Sequence, residues 1–338
     1  MTGRRGEGAT PVTSPRLRHL RGPSAHARPR RQERRGPRAG AVQRRLSTRN
    51  GLLFVSPWII GFLAFFAYPF VATVYYSFTN FNGVSAPHLV GFANYSAMLH
   101  DPLVRTALFN TFYYTVIELP LSTAIALGLA LLLNLDVKGR AVYRTIFYIP
   151  SVVPLVASSM IFVWIFNPTA GIVNDLLHGL HIPGPNWFFS ISWSKPSFVL
   201  LGLWGLGQPM VIFLAALQGV PRELYEAANL DGASAFRRLR AVTIPLISPV
   251  ILFNVIQQLV LCISYFTQAQ VIESSDIGGP GNSTWFFVQY LYEQAFSFLK
   301  MGYASALGFV LFLLTGIVTV VLFRSSRRWV FYSGGPGD

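Results

Sequence analysis

Six apolar stretches, each long enough to cross a lipid bilayer, constrain this chain more than any other feature. They lie near residues 52–79, 107–134, 145–166, 197–218, 246–270 and 304–323. A spanning helix needs about 20 residues, because each residue rises roughly 1.5 Å and the hydrocarbon layer is about 30 Å thick. Only 12% of the residues are charged, against roughly a quarter in soluble domains. The sequence therefore predicts an all-α integral membrane protein with about six transmembrane helices.

Prolines in or beside these stretches predict where the helices bend. They are Pro57, Pro69, Pro120, Pro150, Pro154, Pro209 and Pro249. Proline removes a backbone donor and clashes with the preceding turn, but neighbouring helices in a bundle can accommodate the kink.

The charges of the connecting segments predict which side of the membrane each faces. The segments 135–144 and 219–245 and the C-terminal tail hold ten Lys and Arg, whereas 80–106, 167–196 and 271–303 hold three. Cytoplasmic loops carry the excess of positive charge. With an even number of spans, both termini are therefore expected in the cytoplasm.

The first fifty residues differ in kind from the rest. They hold fourteen arginines and two glutamates, which gives +12 of the net charge of +14. This Arg-, Pro- and Gly-rich segment lacks apolar periodicity, so we expect a disordered cytoplasmic tail. Its arginines could bind nucleic acid or anionic lipid, but simple anchoring of the N-terminus is favoured and no specific nucleic acid is expected. The domains are 1–50 (tail), 51–325 (membrane domain) and 326–338 (cytoplasmic C-terminal tail).

The loop 221–245, between the fourth and fifth stretches, is unusually long for a connection in a compact bundle. Pro221 suits the first position of a helix, and Gly232 can supply the left-handed residue that ends it. A second short helix, Ser234 to Ala241, is expected before Pro245 begins span five. The loop is thus predicted to form two short helices joined at a glycine, on the inner face of the membrane.

The same loop carries the spacing of a known motif. Glu226-Ala227-Ala228 is followed by three residues, Gly232, nine residues and Val242-Thr243-Ile244-Pro245. This closely resembles the EAA loop of ABC importer permeases, in particular their carbohydrate-uptake branch, the maltose and glycerol-phosphate permeases. Shorter matches include Asn110-Thr111 and the segment 278–284. The alternative is an amphipathic helix pair that lies on the membrane without a partner.

The resemblance implies that this chain couples a solute path to a separate ATPase. The residues it marks for coupling are Glu226, Ala227, Ala228, Asp231, Gly232, Arg237, Arg238 and Pro245. The chain has no phosphate-binding G-x-x-x-x-G-K-[ST] motif, so ATP and Mg would be bound by the partner ATPase and no cofactor by this chain. The implied partners are an ATPase dimer, a second and different permease subunit, and an extracytoplasmic solute-binding protein, assembled in the bacterial inner membrane.

A row of polar residues in span five is the candidate solute path. Asn254, Gln258, Tyr265 and Gln268 fall near one line of a helix, with Gln257 beside it. Such groups are costly against lipid, so they should face the bundle interior, where they either contact a solute or bond between helices. Glu118 is the one clear acid deep in a span. It could bind solute, or be held structurally by Thr115, Ser122 or a neighbouring helix.

The composition of the spans bears on the solute. No Lys or Arg lies within the six stretches, which favours a neutral sugar over an anion such as glycerol phosphate. A membrane-embedded enzyme is the competing class, with His88, His100 and Asp101 as its candidate polar set, although they match no nucleophile or metal motif. The single cysteine, Cys262, excludes an internal disulfide and argues against a metal–thiolate site.

Overall fold

The computed structural model describes residues 51, 53–136, 138–273 and 276–331. The chain divides into two units, Met1–Phe62 and Leu63–Asp338. In the described part of the first unit, Trp58 stacks on Phe62 with ring centroids 5.6 Å apart. The predicted tail 1–50, residues 332–338 of the predicted C-terminal tail, and Ser274-Ser275 lie outside the described residues.

The described residues form helices without a β-strand, apart from an isolated bridge between Thr79 and Leu89. In chain order the helices are α1 (Leu53–Ser77), α2 (Ala93–His100), α3 (Pro102–Asn134), α4 (Arg140–Val152), α5 (Leu155–Ile165), α6 (Ile172–Gly179), α7 (Ser194–Gly202), α8 (Gly207–Gln218), α9 (Arg222–Leu230), α10 (Ala235–Arg238), α11 (Ile244–Ile263), α12 (Thr267–Ile272), α13 (Phe287–Tyr292) and α14 (Met301–Ser326). The all-α prediction is confirmed.

Four of these segments are long and apolar enough to cross a membrane alone: α1, α3, α14 and Ala235–Ile272, which contains α10 to α12. Two bent pairs complete the set of six. They are α4 with α5, bent by 101°, and Ser194–Gly205 with α8, bent by 48°. Each of the six predicted stretches therefore has its counterpart, and the chain is a multi-pass membrane protein.

The strongest bend lies at Pro154, where the sequence predicts a kink. Val153 and Pro154 are both extended, with ψ near 130° and 138°. A proline forces the residue before it out of the helical region, which ends α4 and starts α5 in a new direction. Pro120 and Pro249, in contrast, lie inside continuous helices, so the prolines differ in effect.

Helix α3 is the centre of the second unit, because it packs against α4, α7, α8, α11 and α13. Toward its C-terminal end, Ala126 and Ala130 are fully buried one turn apart, which lets α8 approach closely through Phe213 and Leu217. Nearer its N-terminal end, Tyr114 belongs to a cluster of buried aromatic rings. From Phe312 onward, most large apolar side chains of α14 instead point outward, as expected for a surface covered by lipid or another subunit.

Candidate functional site

The first helix of the loop 221–245 ends as the sequence predicts. Pro221 lies immediately before α9 instead of at its first position, a shift of one residue. Gly232 follows α9 with φ of +69°. The amides of Gly232 and Ala233 donate to carbonyls of the last turn, at 3.0 and 2.9 Å. This paired cap needs a left-handed residue, which explains the glycine.

The second predicted helix is not a separate element, which corrects the expectation for Ser234 to Ala241. The Ser234 hydroxyl accepts from the Arg237 amide at 3.4 Å, and α10 then runs through a π-helical turn, Leu239–Thr243, into α11. Pro245 therefore lies inside a continuous helix. The π-helical turn shifts the backbone hydrogen-bond pattern just before Pro245. The missing N–H of the proline therefore causes no break in the helix.

The motif residues of this loop divide by exposure. Five are exposed (Glu226, Ala227, Asp231, Gly232, Arg237) and three are half-buried (Ala228, Arg238, Pro245). The Arg238 guanidinium donates to the Asn229 side chain, so that cation is used within the loop. The Tyr225 hydroxyl lies 3.0 Å from that of Thr243 and fastens α9 to the start of span five. The loop thus has an internal framework and a separate exposed face.

Two apolar side chains on this exposed face were missed by the sequence reasoning. Leu230 is 91% exposed and Phe236 is 72% exposed, on either side of the glycine turn. Large apolar residues in an otherwise polar loop are the signal that could have found them, because aromatic and aliphatic anchors that become buried often dominate binding to a partner.

A cavity of about 260 Å³ lies where three interrupted spans meet; we call it the helix-break cavity. Ser151 and Leu155 flank the bend of the third span, and Gly205 and Gln208 flank the bend of the fourth. In the fifth, α11 stops at Ile263 and α12 starts four residues later, so the predicted helix 246–270 is interrupted. The remaining lining residues are Tyr114, Glu118, Gly202, Gln258, Leu261, Cys262, Ser264, Tyr265, Phe266, Thr267 and Gln268. Transporters commonly place their solute sites at such broken helices.

Four of the six predicted path residues line this cavity: Glu118, Gln258, Tyr265 and Gln268. Asn254 does not; it is buried and its amide donates to the Val250 carbonyl of its own helix at 3.1 Å. Gln257 is exposed and is also absent from the lining. The sequence missed Ser151, Gln208, Ser264 and Thr267. For Ser151 and Gln208 the signal is the neighbouring proline or glycine, whereas no glycine or proline lies near Ser264 and Thr267.

Glu118 is fully buried and held by span five. The Gln258 amide nitrogen lies 3.0 and 3.1 Å from its two carboxyl oxygens, and the Cys262 thiol donates to Oε2 at 2.8 Å. Thr115 and Ser122, the expected partners, instead donate to carbonyls of their own helix. Of the structural alternatives, the neighbouring helix is therefore the one that holds Glu118.

Gly202 lets α7 approach this acid closely. A Cβ at Gly202 would lie 2.6 Å from the Tyr114 hydroxyl and 3.1 Å from Glu118 Cγ. Real Cβ contacts are essentially never as short as 2.6 Å, so a larger residue here would displace the Tyr114 side chain and crowd that of Glu118. The glycine thus helps to set where the carboxylate and the phenol stand at the cavity wall.

The two short matches noted in the sequence meet in space. Asn110 donates to the backbone carbonyls of Asn282 and Trp285 at 2.9 and 3.1 Å. The Thr111 hydroxyl accepts from the Phe287 amide at 2.9 Å. The segment 278–284, which contains a short 3-10 turn over Pro280–Asn282, is therefore fastened to α3.

The same segment encloses Glu273, which follows span five directly. Glu273 is buried and accepts hydrogen bonds from Thr284 and, at 3.2 Å, from Gln289. Burial raises the pKa of Glu273 to about 7, against the lowering effect of these two donors. A carboxyl that ionises near neutral pH therefore lies at this end of span five.

In the polar set of the enzyme alternative, Asp101 is occupied by structural contacts. Asp101 caps α3 through the Leu103 amide and accepts from Tyr290 and Tyr303. Burial raises the pKa of Asp101, but these hydrogen bonds outweigh it, so the pKa is lowered. His88 and His100 are exposed. Within the described ranges, no group of three or more His, Cys, Asp or Glu is arranged to hold a metal ion.

Comparison with known proteins identifies the family of this chain. Residues 122–331 match the family described as binding-protein-dependent transport system inner membrane component. The chain is 36% identical to the probable ABC transporter permease protein YesP of Bacillus subtilis over 83% of its length and 92% of that protein. The chain belongs to this family of ABC transporter permeases. It is accordingly a transport subunit of the membrane.

A second relative agrees in sequence, and a solved structure agrees in fold. Identity is also 36% to the sulfoquinovosyl glycerol transport system permease protein SmoG of Agrobacterium fabrum, over 82% of this chain and 90% of that protein. The bacterial alginate ABC transporter in complex with its alginate pentasaccharide-bound periplasmic protein contains a chain with the same fold. Its TM-score is 0.70 at 22% identity, covering 83% of this permease and 96% of that chain.

Proposed function

We propose that this permease forms half of the import path for a sugar or sugar-like solute, and that the helix-break cavity is part of that path. The cavity carries the proposal, because it gathers amides, hydroxyls and aromatic rings at the breaks of three spans. Hydroxyl and amide groups match the donors and acceptors of a polyol, and aromatic rings pack on its apolar faces. The names of SmoG and of the alginate transporter, both concerned with sugar derivatives, support the solute class.

The loop 221–245 is proposed to dock on a separate ATPase, which binds ATP and Mg. Its exposed face offers acids (Glu226, Asp231), a cation (Arg237) and two apolar anchors (Leu230, Phe236) around one rigid turn. The Tyr225–Thr243 contact ties this face to span five. Because span five also lines the helix-break cavity, movement of the ATPase can reach the solute path through one helix.

The assembly is proposed to contain a second, different permease, an ATPase dimer and an extracytoplasmic binding protein in the bacterial inner membrane. The positive charge on the loop 221–245 and on residues 135–144 supports placing them, and both termini, in the cytoplasm. The periplasmic protein in the alginate complex supports a binding-protein partner.

Two neighbouring glutamines provide the test. Gln258 lines the cavity and Gln257 does not, so Gln258→Leu should weaken solute affinity roughly three- to tenfold, as expected for one lost hydrogen bond. Gln257→Leu is the matched control and should leave affinity unchanged. Both variants are compared by uptake in vesicles that contain the co-expressed subunits, with a panel of neutral oligosaccharides, sulfonated sugars and glycerol phosphate.

The outcomes separate the alternatives. Equal affinities for the two variants would remove the cavity from the path. Transport of glycerol phosphate but not of neutral sugars would favour the non-sugar solute. Purification in mild detergent without any ATPase subunit would contradict docking through the loop.

A further inference from the structure

A second cavity, of about 420 Å³, lies at the end of α3 that is predicted to be extracytoplasmic; we call it the outer cavity. It is bounded by the segment between α1 and α2, by α2 itself, and by the chain from α13 to the start of α14. Asp101 lines it and caps the start of α3, whereas Tyr114, thirteen residues further along, lines the helix-break cavity. The two cavities are therefore roughly 20 Å apart along α3 and share no lining residue.

Gln294 is a buried amide without a partner at the wall of the outer cavity. The residue is only 7% exposed, and its side chain forms no hydrogen bond with any of the residues that the structure describes. A buried polar group left unpaired costs roughly 1–3 kcal/mol, so such a group is normally satisfied by water or by a ligand. Both the oxygen and the nitrogen of this amide are available to a molecule in the cavity.

The backbone that carries Gln294 is unusual. Gln294 lies in a π-helical turn, Glu293–Ser297, and Leu299, which also lines the cavity, is left-handed with φ of +53°. The Lys300 amide donates to the Gln294 carbonyl at 2.8 Å and closes this segment. A left-handed residue other than glycine costs of order 1–3 kcal/mol, and both such residues and π-helical turns are frequent at functional sites. The strained segment thus coincides with the unpaired amide.

Three asparagines of the lining are each fixed at one end of the side-chain amide. Asn80 and Asn82 accept from backbone amides of the segment that follows them, at 2.9 to 3.1 Å. Asn94 instead donates to two backbone carbonyls, both at 2.8 Å. The ends left for a ligand are therefore two NH₂ groups and one carbonyl oxygen, which the fold holds in place before a ligand binds.

The charged and aromatic groups of the lining favour a neutral ligand. The tyrosines Tyr290 and Tyr303 donate to Asp101, which leaves each phenol oxygen able to accept. Lys300 forms no ion pair within the described ranges. Because a carboxylate and an ammonium group both line the cavity, an ion of either sign meets a like charge. The half-buried ring of Phe81 adds an apolar surface beside these polar groups.

We propose that the outer cavity is a binding site for a neutral sugar or a polyol of similar size, separate from the helix-break cavity. Its volume falls within the range of ligand pockets, about 300–1,000 Å³. The hydroxyl groups of such a ligand both donate and accept, as the free amide ends and phenol oxygens require, and its apolar face can pack on the ring of Phe81. Binding at this site does not depend on the proposed solute path.

Lys300 reports whether the site is occupied, because the chain has only three lysines, Lys138, Lys195 and Lys300. The assembled transporter in lipid nanodiscs is acetylated with N-hydroxysuccinimidyl acetate in the presence of glycerol, glucose or maltose, and the rate at each lysine is read by peptide mass spectrometry. At about ten times the Kd of a bound probe, acetylation of Lys300 should slow about tenfold, because only the empty site reacts. Lys195 does not line the cavity and is the control amine, whose rate should not change.

Two glutamine variants separate this site from the solute path. Gln294→Leu removes the unpaired amide, so the Kd obtained from the protection of Lys300 should rise roughly three- to tenfold, as expected for one lost hydrogen bond. Gln258→Leu, at the helix-break cavity, should leave that Kd unchanged. If both variants raised the Kd equally, the outer cavity would not be a separate site and the proposal would be wrong.

The unsubstituted transporter gives a result that does not depend on the folding of any variant. Absence of protection by all three neutral probes would overturn the proposal. Protection by glucuronate or sulfate alone would make the cavity an anion site, and protection only by the purified binding protein would make it a docking surface; either result overturns the proposal as well.

The outer site and the solute path can fail independently. Protection of Lys300 by a neutral probe, together with equal uptake affinities of Gln258→Leu and Gln257→Leu, would support the outer site and remove the helix-break cavity from the path. Weaker uptake by Gln258→Leu without any protection of Lys300 would support the path and overturn the outer site.

Discussion

The loop 221–245 and the helix-break cavity solve opposite physical problems. The loop is one consecutive segment that exposes its charged and apolar side chains, and it is held by a helix cap and the Tyr225–Thr243 contact. The cavity gathers polar groups from four spans, and its acid is fully buried. Substitutions on the loop should therefore separate coupling from folding, whereas substitutions at the cavity should often change solute affinity and stability together.

The largest expected effect is at the glycine turn. Gly232→Pro cannot adopt φ of +69° and loses the amide that donates to α9, so the exposed face should be misplaced. We expect normal membrane insertion but complete loss of solute-stimulated ATP hydrolysis, and Glu226→Lys should act similarly by reversing a charge. Gly232→Asn, which tolerates a left-handed backbone, is the control and should keep most activity. Wild-type transport by an inserted Gly232→Pro permease would show that this turn does not couple.

Replacement of Gly202, a glycine that lines the helix-break cavity, should change stability as well as solute affinity. Gly202→Ala forces a Cβ against Tyr114 and Glu118, so thermal stability in detergent should fall by about 1–3 kcal/mol, together with solute affinity. Gly205→Ala is the matched control, because nothing lies within 4 Å of its added Cβ. Fluorescence-detected size-exclusion chromatography after heating gives the measurement. Equal melting of the two variants would contradict the close packing of α7 on α3.

A smaller effect is expected at Glu273. Its pKa is raised to about 7 from an ordinary value of 4.5, so the folded state binds the proton more tightly than the unfolded chain. The resulting stability is fully present below about pH 4.5 and is lost as pH rises through 7, at no more than about 1.4 kcal/mol per pH unit. The melting temperature should therefore drop between pH 6 and pH 8, and Glu273→Gln should drop less. Asp136→Asn, at an exposed site, is the control and should show the same drop in melting temperature as the wild type. If Glu273→Gln also showed the full drop, Glu273 would not be the titrating group.

The smallest effect is expected for the N-terminal tail. Deleting residues 2–45 leaves Arg49 and ten further positive charges in the segments predicted to be cytoplasmic, so orientation and transport should not change. Uptake in vesicles, normalised to inserted protein, is the measurement. Loss of uptake with normal insertion would show that the tail has a role in transport separate from those of the loop 221–245 and the helix-break cavity.

The sequence predicted the structure best where the signal lies in a few consecutive residues. The apolar stretches, the kink at Pro154 and the glycine that ends α9 were all read correctly, because each depends on a few consecutive side chains and backbone conformations. The prediction from sequence failed where the continuity of a helix depends on the surrounding structure. The expected break before Pro245 is absent, and an unexpected break follows Ile263 in what reads as one apolar helix.

What the sequence by itself determined is the class of molecule: the number of spans, the loop 221–245 with its family spacing, and a polar row on span five. Only the tertiary structure decided which polar residues meet. Gln258 and Glu118 are 140 residues apart in sequence yet share two hydrogen bonds, while Gln257, the adjacent residue with an identical side chain, faces away. Periodicity identifies one face of one helix. The partner of that face depends on how closely the neighbouring helices approach, and that distance is set by small residues such as Gly202 and Ala126, which carry no periodic signal of their own.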